Sequence, residues 1–207
     1  MSPAGVTGIV LAGGRSTRFG EDKLAAEVGG RPLLHLAIEA VAGVVDEVVV
    51  VVGADAPAPL LPAGPRVPVV VARDAVAGQG PLAGLAAGLA VASQPLALLV
   101  GGDQPALQPV LLRELLGRLD AGKDTDTAAF DVVGLEEDGQ LRPLPVALRV
   151  ASVRPAAEAF LAAGTRSLVG LFGRLRVERL TSGEWRALDP RGDSLRDVNT
   201  RDDLPSG

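Results

Sequence analysis

Strand-length aliphatic runs recur along the chain at residues 6–12, 47–52, 67–72 and 96–100, each bounded by glycine, proline or charge. Unbroken runs of this kind, with no polar residue at every second position, predict strands buried on both faces. Between them the apolar positions return at helical spacing. In 32–41, Leu33, Leu34, Ala37, Ile38 and Val41 fall on one face, and Pro32 suits a first helical turn. Segments 82–92 and 109–119 read as helices in the same way. Strands alternating with helices predict an α/β fold: a doubly wound, mostly parallel sheet with helices on both faces, the first helix packing back on the first strand. Ligands of such sheets sit at the carboxyl ends of the strands.

The texture changes after about residue 124. Two strand-like segments, 127–135 and 141–150, flank the acidic turn Glu136-Glu137-Asp138-Gly139, whose Asp-Gly pair predicts a small hairpin-like β excursion. Such an insertion would wall the far side of a nucleotide pocket and admit a second substrate. A helix at 152–163 and a strand at 175–180 follow. The proline-rich stretch 57–65 is expected to be a surface loop, too short to link domains. No internal repeat is visible, and residues 1–207 are expected to form one domain.

Composition narrows the chemistry. With 207 residues, 47% of them hydrophobic, the chain can bury a sizeable core. A net charge of -5 offers no basic surface for a nucleic acid polymer. Cysteine is absent, which excludes disulfides and thiolate ligands, so a metal would need oxygen donors. The first residues, Met1 to Gly5, carry no basic segment ahead of a long apolar core, and no run of about 18 apolar residues occurs, so a cytoplasmic location without membrane contact is expected. Aromatics make up only 2%, so the core is aliphatic and a nucleotide would be read by backbone and polar groups rather than by stacking. Trp185 lies between predicted elements and is expected to be partly buried packing. His35, the only histidine, falls inside a helix and suits a structural or rim role. With no cysteine and no tyrosine, acid–base and nucleophilic groups are scarce. That fits a reaction in which a substrate phosphate, largely dianionic above its second pKa of about 6, is itself the nucleophile. The protein then supplies charge neutralisation and alignment.

The first strand runs into Leu11-Ala12-Gly13-Gly14-Arg15-Ser16-Thr17-Arg18-Phe19-Gly20-Glu21-Asp22-Lys23. Paired glycines let backbone N–H groups approach an anion, and Arg15, Arg18 and Lys23 add positive charge, a combination suited to a triphosphate. The spacing is neither that of a Walker loop nor that of the dinucleotide fingerprint. The plainer alternative is a strand-to-helix turn with solvated charges. Asp103, in Gly101-Gly102-Asp103-Gln104-Pro105, follows a buried strand at the same sheet edge and is the first choice for a magnesium ligand; turn formation or capping ahead of Pro109 is the alternative. Gly80-Pro81-Leu82-Ala83-Gly84 opens a helix with small residues that either meet a base or ribose or pack tightly on the sheet. Asp74 either accepts hydrogen bonds from a base edge or caps a turn. Asp197 and Asn199, two apart in an extended segment, either complete a metal site or cap the short helix that follows.

Taken together, the stretch Leu11 to Lys23, Gly30-Arg31-Pro32-Leu33, Gly80 to Gly84, Gly102 to Pro105 and Asp197 to Leu204, in this order over nearly the whole chain, resemble the molybdenum cofactor guanylyltransferase family of the nucleotidyltransferase superfamily. The resemblance implies a Rossmann-like fold of the nucleotide-diphospho-sugar transferase type. It implies an enzyme that binds GTP with Mg2+ and transfers GMP to the terminal phosphate of molybdopterin cofactor, releasing pyrophosphate. By the same resemblance Leu11, Ala12, Gly13 and Gly14 line the GTP site with Pro81, Leu82 and Gly84, Lys23 and Asp74 contact the nucleotide, and Arg18 neutralises the triphosphate. Asp103 matches the metal ligand, Asn199 a position near the metal or acceptor, and Arg142, Pro143 and Arg166 fall on the acceptor side. Transient contacts with proteins that deliver the cofactor or mature molybdoenzymes are also implied. The chain departs from the family pattern at Val51-Val52-Gly53, where an Asn is frequent, at Asp197, where Asn is frequent, and at Gly102 before Asp103, where Cys is frequent. Gly13-Gly14 favours GTP over CTP. The alternatives are cytidylyl transfer to the same acceptor, transfer to a sugar phosphate, and a GTP-binding regulatory or carrier protein without turnover.

Overall fold

The computed structural model describes residues 5–13, 23–74, 80–121, 129–198 and 203. Strand β1 (Val6–Leu11) is followed by a single 3-10 turn, Lys23–Ala25, and by two short strands, β2 (Glu27–Val28) and β3 (Arg31–Pro32), which pair antiparallel across Gly29-Gly30. Both glycines have positive φ, 58° and 76°, which suits them to a two-residue hairpin turn. Helix α1 (Leu33–Ala42), β4 (Glu47–Val52), β5 (Val69–Arg73), α2 (Pro81–Val91), β6 (Leu96–Gly101) and α3 (Pro109–Ala121) complete the first half. The second half contains β7 (Val132–Glu137), β8 (Gln140–Arg149), α4 (Val150–Ala162), α5 (Leu168–Phe172), β9 (Val177–Leu180) and α6 (Ser182–Leu188).

One seven-stranded sheet runs in the order β5-β4-β1-β6-β8-β7-β9. Its strands β5, β4, β1 and β6 are all parallel, with Ile9 opposite both Val49 and Leu99. Successive side chains point to opposite faces, so each strand feeds two cores. Val10, Val48, Val50, Leu98 and Val100 pack with Ile38, Val41, Leu111 and Leu115 on one face. Ile9, Val49, Val51 and Leu99 pack with Leu82, Leu85, Leu89 and Phe172 on the other. Each fully buried Val, Leu or Ile contributes about 1.5–3 kcal/mol. Helix α2 lies close on β1 because it presents glycine there: a Cβ on Gly88 would stand 2.6 Å from Ile9 Cγ2, and one on Gly84 would stand 3.0 Å from Leu11 Cδ2. No helix among the described residues is long and apolar enough to cross a membrane.

The hairpin forms as expected, β7 pairing antiparallel with β8 from Glu137↔Gln140 to Val132↔Leu148, and it joins the main sheet: β8 pairs antiparallel with β6 from Leu96↔Arg149 to Leu99↔Val146, and β9 adds parallel to β7. Two expectations are corrected. The apolar run of β5 is not buried on both faces. It forms the edge strand, leaving Val70 and Val71 45% and 40% exposed. Trp185 is neither partly buried nor between elements. It lies in α6, fully buried, and its indole Nε1 donates to the Glu136 carbonyl at 2.8 Å. A capping box of Thr181 and Glu184 starts that helix.

At the opposite end of the sheet from the glycine loop, Glu47 ties three segments together. Its carboxylate accepts from Thr7 Oγ1 at 2.6 Å, Ser93 N–H at 2.8 Å and Ser93 Oγ at 2.8 Å. Partial desolvation acts to raise its pKa, but these donors together outweigh it and hold the carboxyl below the ordinary value. A depressed folded pKa stabilises the protein above the unfolded value of about 4.3 and loses that contribution as pH falls through the folded pKa. Wild type and Glu47→Gln should therefore differ most in urea midpoint at neutral pH and converge at the acid end, as urea titrations between pH 7 and pH 3 would check.

Candidate active site

The carboxyl ends of β1, β4, β5 and β6 lie side by side, and the predicted loop leaves the sheet there. Ala12 N–H donates to Val51 O at 2.7 Å, and Gly102 N–H donates to Leu11 O at 2.9 Å, so the backbone leaving β1 is held between its two neighbours. Gly13 faces Gly53: a Cβ would come 3.5 Å from the Gly53 amide nitrogen. A Cβ on Gly102 would stand 3.1 Å from Leu11 O and 3.3 Å from Leu34 Cδ1, which explains glycine before Asp103. Gly14 and Arg18 lie outside the described residues.

Lys23 and Asp103, eighty positions apart, meet at this edge. Lys23 Nζ donates to Asp103 Oδ2 at 2.7 Å, with the side chains 14% and 27% exposed. The lysine is placed by its 3-10 turn, which is fastened to the start of α1 by the Leu33 N–H donating to Ala26 O at 2.9 Å. The aspartate is placed by the turn after β6. This contact brings a cation and a carboxylate to the turn that is bonded to the end of β1 through Gly102 and Leu11, without either being sealed from water.

The C-terminal segment closes over the same turn. Val198 N–H donates to the Asp103 carbonyl at 3.0 Å, and Val198 packs on Leu33. Asp197 thereby stands near Asp103, while Asn199 lies outside the described residues. Desolvation in the cleft wall is the larger push on the Asp197 carboxyl, and the Asp103 charge the second; both raise its pKa, against the pull of Arg142, Lys23 and a Gln104 hydrogen bond. The residue as a whole stays exposed, so the effect belongs to the carboxyl's immediate setting.

On the far side, Arg142 of β8 reaches the Leu195 carbonyl at 3.4 Å and Glu137 at 3.6 Å, and the neighbouring Pro143 is half-buried. The exposed Arg166 comes to the start of α2: a Cβ on Gly80, whose φ is 79°, would meet the Arg166 carbonyl at 3.4 Å. Asp74 is fastened to the sheet by its N–H, which donates to Val52 O at 2.9 Å. Leu82 is fully buried, Gly84 is turned onto Leu11, and Pro81 remains exposed at the helix start. His35 meets the expectation of a rim role, its Nε2 lying 3.0 Å from the Leu60 carbonyl. Sequence reasoning assigned nothing to Gln104, Ser194 or Asp189, which hold the C-terminal segment in place. It also missed Arg73, whose Nη1 donates to the Ala54 and Ala56 carbonyls at 3.2 and 2.7 Å and holds the chain leaving β4. Periodicity carries no signal for such contacts; the only hint was the polar Gln104 in the turn after the strand.

Sheet order and strand-end contacts together define an α/β fold with Lys23 and Asp103 meeting at the carboxyl edge of the sheet. Residues 8–178 match the MobA-like NTP transferase domain, and the chain belongs to that family. A probable molybdenum cofactor guanylyltransferase from Chloroflexus aggregans is 33% identical over 202 residues, covering 96% of this chain and 91% of its own length. The molybdenum cofactor guanylyltransferase from Xanthomonas euvesicatoria pv. vesicatoria is 37% identical over 180 residues, covering 84% of this chain and 82% of its own length. In fold, the chain is similar to molybdopterin-guanine dinucleotide biosynthesis protein A from Archaeoglobus fulgidus, with a TM-score of 0.72 and 21% identity over 96% of this chain and 94% of that one. It is also similar to the 4-diphosphocytidyl-2C-methyl-D-erythritol synthase from Anaerococcus prevotii, with a TM-score of 0.67 and 15% identity over 97% of this chain and 93% of that one.

Proposed function

We propose that the chain is a magnesium-dependent guanylyltransferase that moves GMP from GTP to the terminal phosphate of molybdopterin cofactor, forming its guanine dinucleotide and pyrophosphate. The names of the relatives support the acceptor, and the observation that carries the chemistry is the Lys23–Asp103 contact at the carboxyl ends of β1 and β6. An oxygen of the acceptor phosphate attacks the α-phosphorus of GTP, and the bond from that phosphorus to the bridging oxygen of pyrophosphate breaks. A dianionic phosphate needs no proton removed before it attacks. The protein's work is then to align two anions and offset their charge. Lys23 and Arg18 supply positive charge to the triphosphate, backbone at Leu11, Ala12 and Gly13 lines it, and Asp74 contacts the nucleoside. Arg142, Pro143 and Arg166 face the acceptor.

The residues fit a magnesium ion. Asp103 and the nearby Asp197 offer carboxylate oxygens at the strand-end turn, the hard donors that a magnesium ion takes beside water and substrate phosphates. Asp103, with Asn199, would hold it, and it would supply charge to the reacting phosphates.

The test is pyrophosphate release with molybdopterin cofactor and magnesium, measured separately with GTP and CTP and then with a sugar 1-phosphate as acceptor. Release with GTP at least about tenfold faster than with CTP is expected, a preference of about 1.4 kcal/mol. Preference for CTP would move the assignment to cytidylyl transfer, turnover only with the sugar phosphate would replace the acceptor, and GTP binding without release from any acceptor would favour a carrier.

A further inference from the structure

Behind Asp103, away from the glycine loop, the turn after β6, the start of α3 and residues 189–198 meet, and Gln104 sits at their junction. Its side chain, 1% exposed, is hydrogen-bonded on both ends of the amide. Oε1 accepts the Gly101 N–H at 2.8 Å and Nε2 donates to the Ser194 carbonyl at 3.1 Å. A carboxamide carries an acceptor and a donor at the two ends of one short planar group, which is what these two partners require. A buried carboxamide is unfavourable unless its bonds are made, so packing alone does not explain glutamine where methionine would fill similar space.

The bonds around it are directed to the same end. Gln108 N–H donates to Ser194 Oγ at 2.9 Å, and Asp189 accepts the amides of Asp193 and Ser194 at 3.1 and 2.8 Å. This braces residues 193–195 from behind. Between that brace and the Val198–Asp103 bond, Gln104 is the side chain that ties Ser194 to Gly101 at the end of β6.

We propose that Gln104 is a positioning residue that locks the C-terminal segment onto the strand-end turn, so that Asp197 and Asp103 stand at the cleft in one fixed arrangement. The structural half stands alone; the kinetic half rests on the nucleotidyl-transfer reading above.

The experiment combines hydrogen exchange with steady-state kinetics on the full chain. In Gln104→Met the amides of Ser194 and Val198 should exchange about tenfold faster or more, while those of β1 and β4 stay unchanged. The kcat for pyrophosphate release should fall about 10–100-fold, with the nucleotide KM within about twofold of wild type. Gln104→Glu keeps the length and the acceptor for Gly101 but loses the amide donor, and should loosen the same amides. In an Asp197→Asn background, Gln104→Met should cost less in kcat than it does in wild type, because part of what it positions is already gone. Unchanged exchange at Val198 in both Gln104 variants, exchange that rises everywhere at once, or an equal kcat loss in both backgrounds would overturn the proposal. Local loosening in a protein that, even as wild type, releases no pyrophosphate would uphold the positioning and reject the functional reading.

Discussion

Replacing Asp103 with asparagine is expected to slow pyrophosphate release by about 10²–10³-fold, about 2.7–4 kcal/mol of barrier, while the protein stays folded. The side chain keeps its size, and the change is the loss of one negative charge at the end of β6. In the proposed reaction that charge holds a cation against the phosphates and orients Lys23, whose Nζ it meets at 2.7 Å. Both partners keep contact with solvent, at 14% and 27% exposed, so the ion pair itself is worth only about 0–1 kcal/mol of stability. For a domain of this size that is a shift of at most about 4 °C in Tm. The two readouts separate the roles. A large loss of rate at nearly constant Tm places Asp103 in the chemistry, whereas a rate close to wild type would remove it from the metal site. A collapse of both would show that the pair is structural.

Replacing Trp185 with alanine should produce the opposite pattern, a loss of about 3–5 kcal/mol of stability measured by urea unfolding. The indole is fully buried in the core shared by β7, α3 and α6, and its removal leaves a cavity that the packed helices cannot close. The corresponding drop in Tm is about 6–20 °C. Trp185→Phe separates volume from hydrogen bonding. It loses the 2.8 Å bond from Nε1 to the Glu136 carbonyl, but Ser182 Oγ donates to the same oxygen at 3.0 Å, so that carbonyl is not orphaned. The phenylalanine variant should therefore retain most of the stability, losing about 1 kcal/mol for the bond and the smaller ring. Equal losses in the two variants would place the stabilisation in the hydrogen bond rather than in the packing.

Much of the first half of this protein is written in its local pattern. The runs at 6–12, 47–52 and 96–100 become β1, β4 and β6, and helical spacing in 32–41 becomes α1, because long aliphatic segments bury well in few ways and the period of a segment selects strand or helix. The glycines after β1, the lysine that follows them and the aspartate beyond β6 were legible as candidate chemistry for the same reason: each sits next to an element whose end the pattern marks. What the pattern could not hold is which strands become neighbours. The run at 67–72 is as apolar as its partners, yet it lies at an edge with two valines exposed, since burial there depends on whether another strand arrives. The Asp-Gly turn was readable, but the docking of β8 beside β6 is a pairing between segments fifty residues apart. Helix α6 is too short to show a period, and Trp185 found its pocket only when β7, α3 and α6 met. The Lys23–Asp103 contact and the Gln104 junction belong to the same kind, joining residues eighty or ninety positions apart. Local sequence therefore set the elements and the types of group at their ends, through hydrophobic burial and backbone geometry. Only the tertiary structure decided which of those groups meet, because a directed hydrogen bond or ion pair depends on where distant backbone has already been fixed by packing.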